Sequence, residues 1–172
     1  MNKDVPCQVD HLLALLDPSR FRILRHDALG MPIRSVADFA NAMGVKVDRI
    51  AKTVVIAKVV SPPEKRIAEP SPSFALVCLP GSRKINASAV VQHLDWSGCQ
   101  LAKPFELREV CGFEPGAVSP LWLGEIPLIV DQTLLSFATI FVGSGTIGID
   151  IELDPRDLVR LTKARVGNIA RD

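Results

Sequence analysis

Two periods of apolar residues alternate along this chain, and proline and glycine mark the boundaries between them. Val9, Leu12, Leu13 and Leu16 fall on one helical face, which predicts a helix over residues 8–16 stopped by Asp17-Pro18-Ser19. Phe21-Arg22-Ile23-Leu24 alternates as a short strand does and ends at Arg25-His26; Gly30-Met31-Pro32 reads as a turn. Ser35 is placed to cap a helix whose apolar face is Val36, Phe39, Ala40 and Met43, with Asp38 as a weak capping-box partner and Gly44 as the stop. A strand is expected from Lys52 to Val60. A polar, exposed hairpin loop follows over 61–66, and then Phe74 to Leu79, apolar at nearly every position, as a strand buried on both faces.

Asn86 should cap a helix carrying Val90, Val91 and Leu94, and 99–102 a short strand. Pro104 suits the first turn of a helix that Gly112 ends. Strands are expected at 127–130 and at 137–142. The turn Gly143-Ser144-Gly145-Thr146 leads into 147–153, so these last two strands form a hairpin. Asp154-Pro155 opens a final helix carrying Leu158 and Leu161. Neither a repeat nor a low-complexity segment nor a dividing linker is visible, so one domain over residues 1–172 is expected. Its class is α/β of the α+β type, with a mostly antiparallel or mixed sheet.

Composition narrows the function. With 48% hydrophobic residues among 172, the chain can bury about 70% of its unfolded surface without a metal or disulfide staple. No apolar run reaches the roughly 18 residues of a membrane span, and Met1-Asn2-Lys3-Asp4-Val5-Pro6 is too polar for a signal peptide. A net charge of +1 provides no general nucleic-acid field, so any RNA contact must be local. Cys7, Cys78, Cys99 and Cys111 form no CxxC pair, which argues against zinc and for a reduced, cytoplasmic setting. Tyrosine is absent and tryptophan occurs twice, which argues against a base-stacking platform.

Few residues can do chemistry. Lys52 shares a strand face with Val54 and Ile56, where an ammonium needs an anionic partner or water at the strand mouth; a site and a snorkelling lysine are both open. Asp150 shares a face with Gly148 and Glu152, opposite Ile147, Ile149, Ile151 and Leu153. A solvated polar face explains that pattern, and so does a site that Gly148 leaves room to approach. The loop Gly116-Ala117-Val118-Ser119-Pro120 offers backbone amides for an oxyanion, or is an ordinary turn. Gly143-Ser144-Gly145 is a second amide-rich turn, or a plain hairpin. His26 follows the first strand and could face a site, whereas His93 reads as a surface residue. No spacing suggests a nucleophile triad or a zinc hydrolase.

Taken in order, these motifs resemble one family. Ala51-Lys52-Thr53-Val54-Val55 is similar to the lysine-bearing strand of the YbaK/EbsC-type aminoacyl-tRNA deacylases, relatives of the editing domain inserted in bacterial prolyl-tRNA synthetases. Residues 75–86 resemble that family's second strand and following turn, 111–120 its glycine-proline loop, and 137–153 its closing hairpin with the aspartate. The resemblance covers roughly residues 20–165.

It implies a mixed, partly barrel-like sheet flanked by helices. The implied activity is hydrolysis, in trans, of the ester joining a wrong amino acid to tRNA. Lys52, Gly116 and Asp150 would be the catalytic set, with Lys52 anchoring the terminal adenosine. His26, Thr53, Ala117, Val118, Ser119, Pro120, Gly143, Ser144 and Gly145 would bind substrate. Water would attack with help from the substrate's own ribose hydroxyl, needing neither metal nor cofactor. The implied partners are the acceptor end of a mischarged tRNA and prolyl-tRNA synthetase, with alanine, cysteine or serine as cargo, since binding alone discriminates one methylene by only about 1–3 kcal/mol. The chain departs from the pattern at the hairpin turn. Many relatives carry a serine, histidine or asparagine where Gly143 stands and a basic residue near Ile147; Ser144, one residue on, is the candidate to stand in. An editing deacylase and a catalytically silent module that binds aminoacyl-tRNA ends or a synthetase therefore both remain as readings.

Overall fold

The computed structural model describes residues 5–26, 33, 35–59, 73–122 and 124–172. The turn expected at 30–32, the loop expected at 61–66 and the strand end expected at Val60 lie outside them. The elements in chain order are α1 (Cys7–Leu13), β1 (Phe21–Arg25), α2 (Val36–Met43), β2 (Ile50–Lys58), β3 (Phe74–Pro80), β4 (Lys84–Ile85), α3 (Ala87–Leu94), β5 (Cys99–Leu101), α4 (Pro104–Cys111), β6 (Leu128–Asp131), β7 (Ile140–Gly143), β8 (Ile149–Leu153), α5 (Pro155–Thr162), β9 (Arg165–Gly167) and β10 (Ala170–Arg171).

Eight strands make one mixed sheet in the order β1-β8-β7-β2-β3-β6-β9, with β5 as a further partner of β2. Pairing is antiparallel for β1 with β8, β7 with β8, and β2 with β3 and β5; β2 with β7, β3 with β6 and β6 with β9 are parallel. Helices cover both faces. Ala51, Val55, Leu76, Cys78, Val130 and Ile151 pack with α1, α4 and α5 on one side. On the other, Ile56, Val77, Leu79 and Ile129 pack with α3, and Ile50 and Phe141 pack with Phe39 and Ala40 of α2. Strand β3 runs through the middle, which is why it reads as a continuous apolar run.

The caps form where expected. Ser35 Oγ accepts from Asp38 N, Asn86 Oδ1 from Ala89 N and Asp154 Oδ1 from Arg156 N, while Gly44 and Gly112 close α2 and α4. Several boundaries differ. The strand expected at 137–142 begins only at Ile140, because Asp131 caps a 3-10 turn over Gln132–Ser136 and redirects the chain. The strand expected from Ile147 begins at Ile149, and Ile147 is 71% exposed rather than on the core face. His93, expected at the surface, is half-buried against Gly167, and its carbonyl accepts from Arg165. The short strands β4, β9 and β10 and the 3-10 turn Val47–Arg49 had no legible period. No helix among the described residues is long and apolar enough to cross a membrane.

Candidate functional site

The site arises from a missing rung. Strand β2 pairs with β7 only at Ile50–Phe141 and Ala51–Val142, and meets β5 only from Ile56 onward. Val55 O accepts from Ala102 N and Val59 N donates to Gly98 O, so the odd-numbered residues of β2 aim their peptide groups at this edge. Thr53 does so with no strand opposite. A cleft of about 330 Å³ opens there, lined by β2, α2, the loop at 116–118 and the β7–β8 hairpin.

Three of the sequence candidates stand around this cleft: Lys52 on the β2 wall, Gly116 in the loop and Asp150 on β8. Lys52 Nζ donates to Gly81 O at 3.2 Å and to Arg83 O, the carbonyls of the turn after β3. Burial lowers its pKa, and nearby Lys84 adds to that. Its charge is therefore held by carbonyl dipoles, without a carboxylate partner among the described residues. Thr53 also lines the cleft. Its Oγ1 is buried with no partner of good geometry, facing Cys78 across the ladder. The Cys78 thiol is pushed up to about 12 by burial, with the Thr53 hydroxyl acting the other way, so Cys78 is an inert core thiol.

Asp150 and His26 meet at the other end. His26 Nε2 lies 2.9 Å from Asp150 Oδ2, with side chains 14% and 20% exposed. The register of β1 on β8, Leu24 opposite Asp150, brings them together, and His26 N donates to Gly148 O. The His26 ring also stands edge-on to Phe39. Burial pushes the Asp150 carboxyl up to about 6, while the charge and hydrogen bond of His26 hold it back. Glu152, two residues on, differs. Burial would raise its pKa as well, yet hydrogen bonds from Thr139 and Arg22 and the charges of Arg22 and Arg49 leave it below the usual value. The polar face of β8 is thus two separate ion-pair environments, with Asp150 facing the cleft.

The loop is held close by a glycine. A Cβ on Gly143 would lie 2.7 Å from Val118 O, so the hairpin admits the loop only because residue 143 has no side chain. Gly116 adopts φ +85, where other residues are strained. Ala117 N donates to Glu114 O, so that amide is committed to the turn; the amides of Gly116, Val118 and Ser119 bond to no described residue. Ala117, Val118 and Gly143 line the cleft. Ser119, Pro120, Ser144 and Gly145 do not. Ser119 is fully buried and its Oγ accepts from Leu121 N, and Ser144 is fully buried, its hydroxyl donating to Thr146 O and accepting from Thr146 N. Sequence reasoning missed the apolar walls, Val36 and Phe39 from α2 with Ile50, and the exposed rim residue Ile147. The apolar face of α2 was visible, but not what it faces. No cluster of potential metal ligands occurs among the described residues.

Comparison with known proteins gives a consistent picture. A family described as the aminoacyl-tRNA editing domain matches residues 31–161. The proline–tRNA ligase of Chlamydia trachomatis serovar D is 29% identical over 101 residues, which are 59% of this chain and 16% of the ligase. That of Thermosipho melanesiensis is 22% identical over 111 residues, 64% of this chain and 18% of the ligase. The chain thus spans less than a fifth of the length of these relatives. Among solved structures, hypothetical protein APE2540 superposes with a TM-score of 0.78 at 26% identity, covering 95% of this chain and 99% of its own. A candidate trans-editing enzyme for prolyl tRNA synthetase gives 0.76 at 21% identity, covering 96% of each chain, which speaks to the fold alone.

Proposed function

The chain belongs to the aminoacyl-tRNA editing domain family, and on that premise we propose that it hydrolyses, in trans, the ester of a tRNA charged with the wrong small amino acid. The observation that carries this reading is the stretch of the β2 edge left between its pairings with β7 and with β5, where Lys52, the Gly116 loop and Asp150 line one cleft. A 330 Å³ cleft with apolar walls suits alanine, cysteine or serine attached to a terminal adenosine. The likeness to proline–tRNA ligases favours tRNA for proline as the carrier and prolyl-tRNA synthetase as the partner, in the cytoplasm.

Chemically, the amides of Gly116 and Val118, which bond to no described residue, are donors for the ester carbonyl as it becomes an oxyanion. Lys52 supplies a fixed positive charge for the nucleotide end, braced by the carbonyls of Gly81 and Arg83. The attacking water is activated with help from the ribose hydroxyl next to the ester, so no protein nucleophile is needed. A panel of mischarged tRNAs, scored for release of the amino acid, tests the reading. Lys52→Ala should nearly abolish release with the fold intact by circular dichroism. Wild-type release by this variant, or its unfolding, would remove Lys52 from the mechanism.

One observation favours a second reading. Ser144, the residue expected to replace the family's polar side chain at the hairpin turn, is buried and bonded to its own turn. A silent module would bind aminoacyl-tRNA ends without releasing the amino acid, and the same panel separates the two.

A further inference from the structure

His26 is held by three contacts that leave one ring nitrogen uncommitted. Its Nε2 lies 2.9 Å from Asp150 Oδ2, and its backbone N–H donates to Gly148 O, so ring and main chain are both tied to the β7–β8 hairpin. The edge-on contact with Phe39 of α2 fixes the ring plane from a third direction. With Nε2 donating to a carboxylate, the neutral imidazole carries its lone pair on Nδ1. That nitrogen bonds to no described residue, and the His26 side chain lines the cleft. The charged groups around it are accounted for. Among the other described residues lining the cleft, only Asp150 and Lys52 can carry charge, and Lys52 directs its ammonium to Gly81 O and Arg83 O. Glu152, two residues along β8 from Asp150, is held by Arg22, Arg49 and Thr139. Arg25 alternates with His26 along the chain and shares its face of β1 with Ile23.

We propose that His26 Nδ1 is the general base that takes a proton from the attacking water, and that Asp150 is the positioning residue that keeps Nδ1 bare to receive it. The proposal rests on the deacylase reading of the cleft and deepens it, adding a protein base to the help of the ribose hydroxyl. Atoms and electrons balance. The water oxygen bonds to the ester carbonyl carbon while its proton passes to Nδ1, and the carbonyl oxygen becomes the oxyanion facing the loop amides. As the tetrahedral adduct collapses, the bond from carbon to the ribose oxygen breaks. The imidazolium returns its proton to that oxygen, leaving a free amino acid and a tRNA hydroxyl. Asp150 stabilises the imidazolium formed midway, as a carboxylate paired with a histidine base does. Its carboxyl, raised to about 6, is mostly ionised near neutrality. The Gly116 loop and His26 line the same cleft, whose volume of about 330 Å³ leaves room for an ester and a water, and Gly148 adds no side chain beside His26.

Single-turnover release from tRNA for proline charged with alanine, cysteine or serine tests the base, and the tautomer of His26 tests it independently. His26→Ala should slow release of the preferred amino acid about 100-fold, the lower end of what a general base contributes. His26→Gln keeps a donor toward Asp150 but has no base, and should be as slow; near wild-type release by this variant would make His26 a structural donor and overturn the proposal. The pair sheds its extra proton as pH rises through about 6, so wild-type release should climb to that point and then level off. Release by His26→Gln should instead keep rising with hydroxide. Nitrogen-15 NMR of the full chain, labelled at histidine, should show His26 protonated at Nε2 and bare at Nδ1 above that pH. A proton on Nδ1 would overturn the proposal, and this reading needs no variant to fold. In Asp150→Asn, whose amide can face the ring either way, the form protonated at Nδ1 should appear; an unchanged tautomer there would overturn the role given to Asp150. Release by His26→Ala within about threefold of the wild type would remove the base and keep the editing reading, with the ribose hydroxyl acting alone. A wild type that releases none of the three amino acids would remove both.

Discussion

Asp131 and Asp150 are both aspartates in the central sheet, and they are used in opposite ways. Asp131 is fully buried. Its Oδ1 accepts from Thr133 N and Oγ1, and its Oδ2 from Ile169 N and Ala170 N, which ties the C-terminal strands to β6. Asp150 is less buried and, among the described residues, has one partner on one oxygen. Burial alone therefore does not separate a carboxylate that ties strands together from one that lines the cleft. What separates them is how many oxygens the described residues leave without a partner: none at Asp131, one at Asp150.

The sharpest way to break this contrast is to remove Asp131. Asp131→Ala would leave the buried amides of Ile169 and Ala170 unpaired, at about 1–3 kcal/mol each, and stability by urea unfolding should fall by about 3 kcal/mol or more. Turnover per folded molecule should hardly change. If turnover collapses instead, the strap is part of the site and the contrast fails. Next in size is Gly116→Val. A Cβ there meets nothing, but φ +85 is strained for valine, so the loop should shift and its proposed oxyanion donors with it. Single-turnover release should drop about 100- to 1,000-fold, the cost of one such donor.

Asp150→Asn should do the reverse of Asp131→Ala. In the unfolded chain this carboxyl ionises near 3.8, and in the folded protein near 6. The folded state therefore holds the proton more tightly. Its contribution to stability is complete below about pH 4 and is lost as pH rises through about 6. The asparagine variant should flatten that dependence and gain of the order of 1–2 kcal/mol at pH 7, while release falls about tenfold and loses its inflection near pH 6. A wild-type stability that rises over pH 4–7, with no difference from the variant, would contradict the assignment. The smallest effects belong to Ser119→Ala and Ser144→Ala. Ser119→Ala loses one buried hydrogen bond and Ser144→Ala two, at about 1 kcal/mol of stability for each bond, with release changed less than about threefold. A large loss of release in Ser119→Ala would instead require a serine nucleophile.

Local signals in the sequence carried far. Ser35, Asn86 and Asp154 cap helices because capping is a contact within three residues, and β3 betrays its burial because both its faces are apolar. The hairpin was legible, but its edges were not, because Asp131 turns the chain through side-chain bonds that leave no periodicity. For the site, the sequence motifs identified Lys52, Gly116 and Asp150 as residues of interest. The meeting of His26 with Asp150 depends on a register between strands about 125 positions apart in the chain, which no local pattern encodes. The inward turn of Ser144 was equally hidden, since a serine between two glycines reads the same whether it faces solvent or its own turn.

The missing rung beside Thr53 also bears on motion. Strand β2 is bound to β7, β3 and β5 at once, so it is expected to open only when the whole molecule unfolds. Its neighbours' amides should exchange with solvent deuterium at the global rate. The Thr53 amide, aimed into the cleft, can exchange without any unfolding. With the floor of the cleft anchored in β2, an aminoacyl end bound over it should stop exchange at that one amide and leave the rest of β2 as it was.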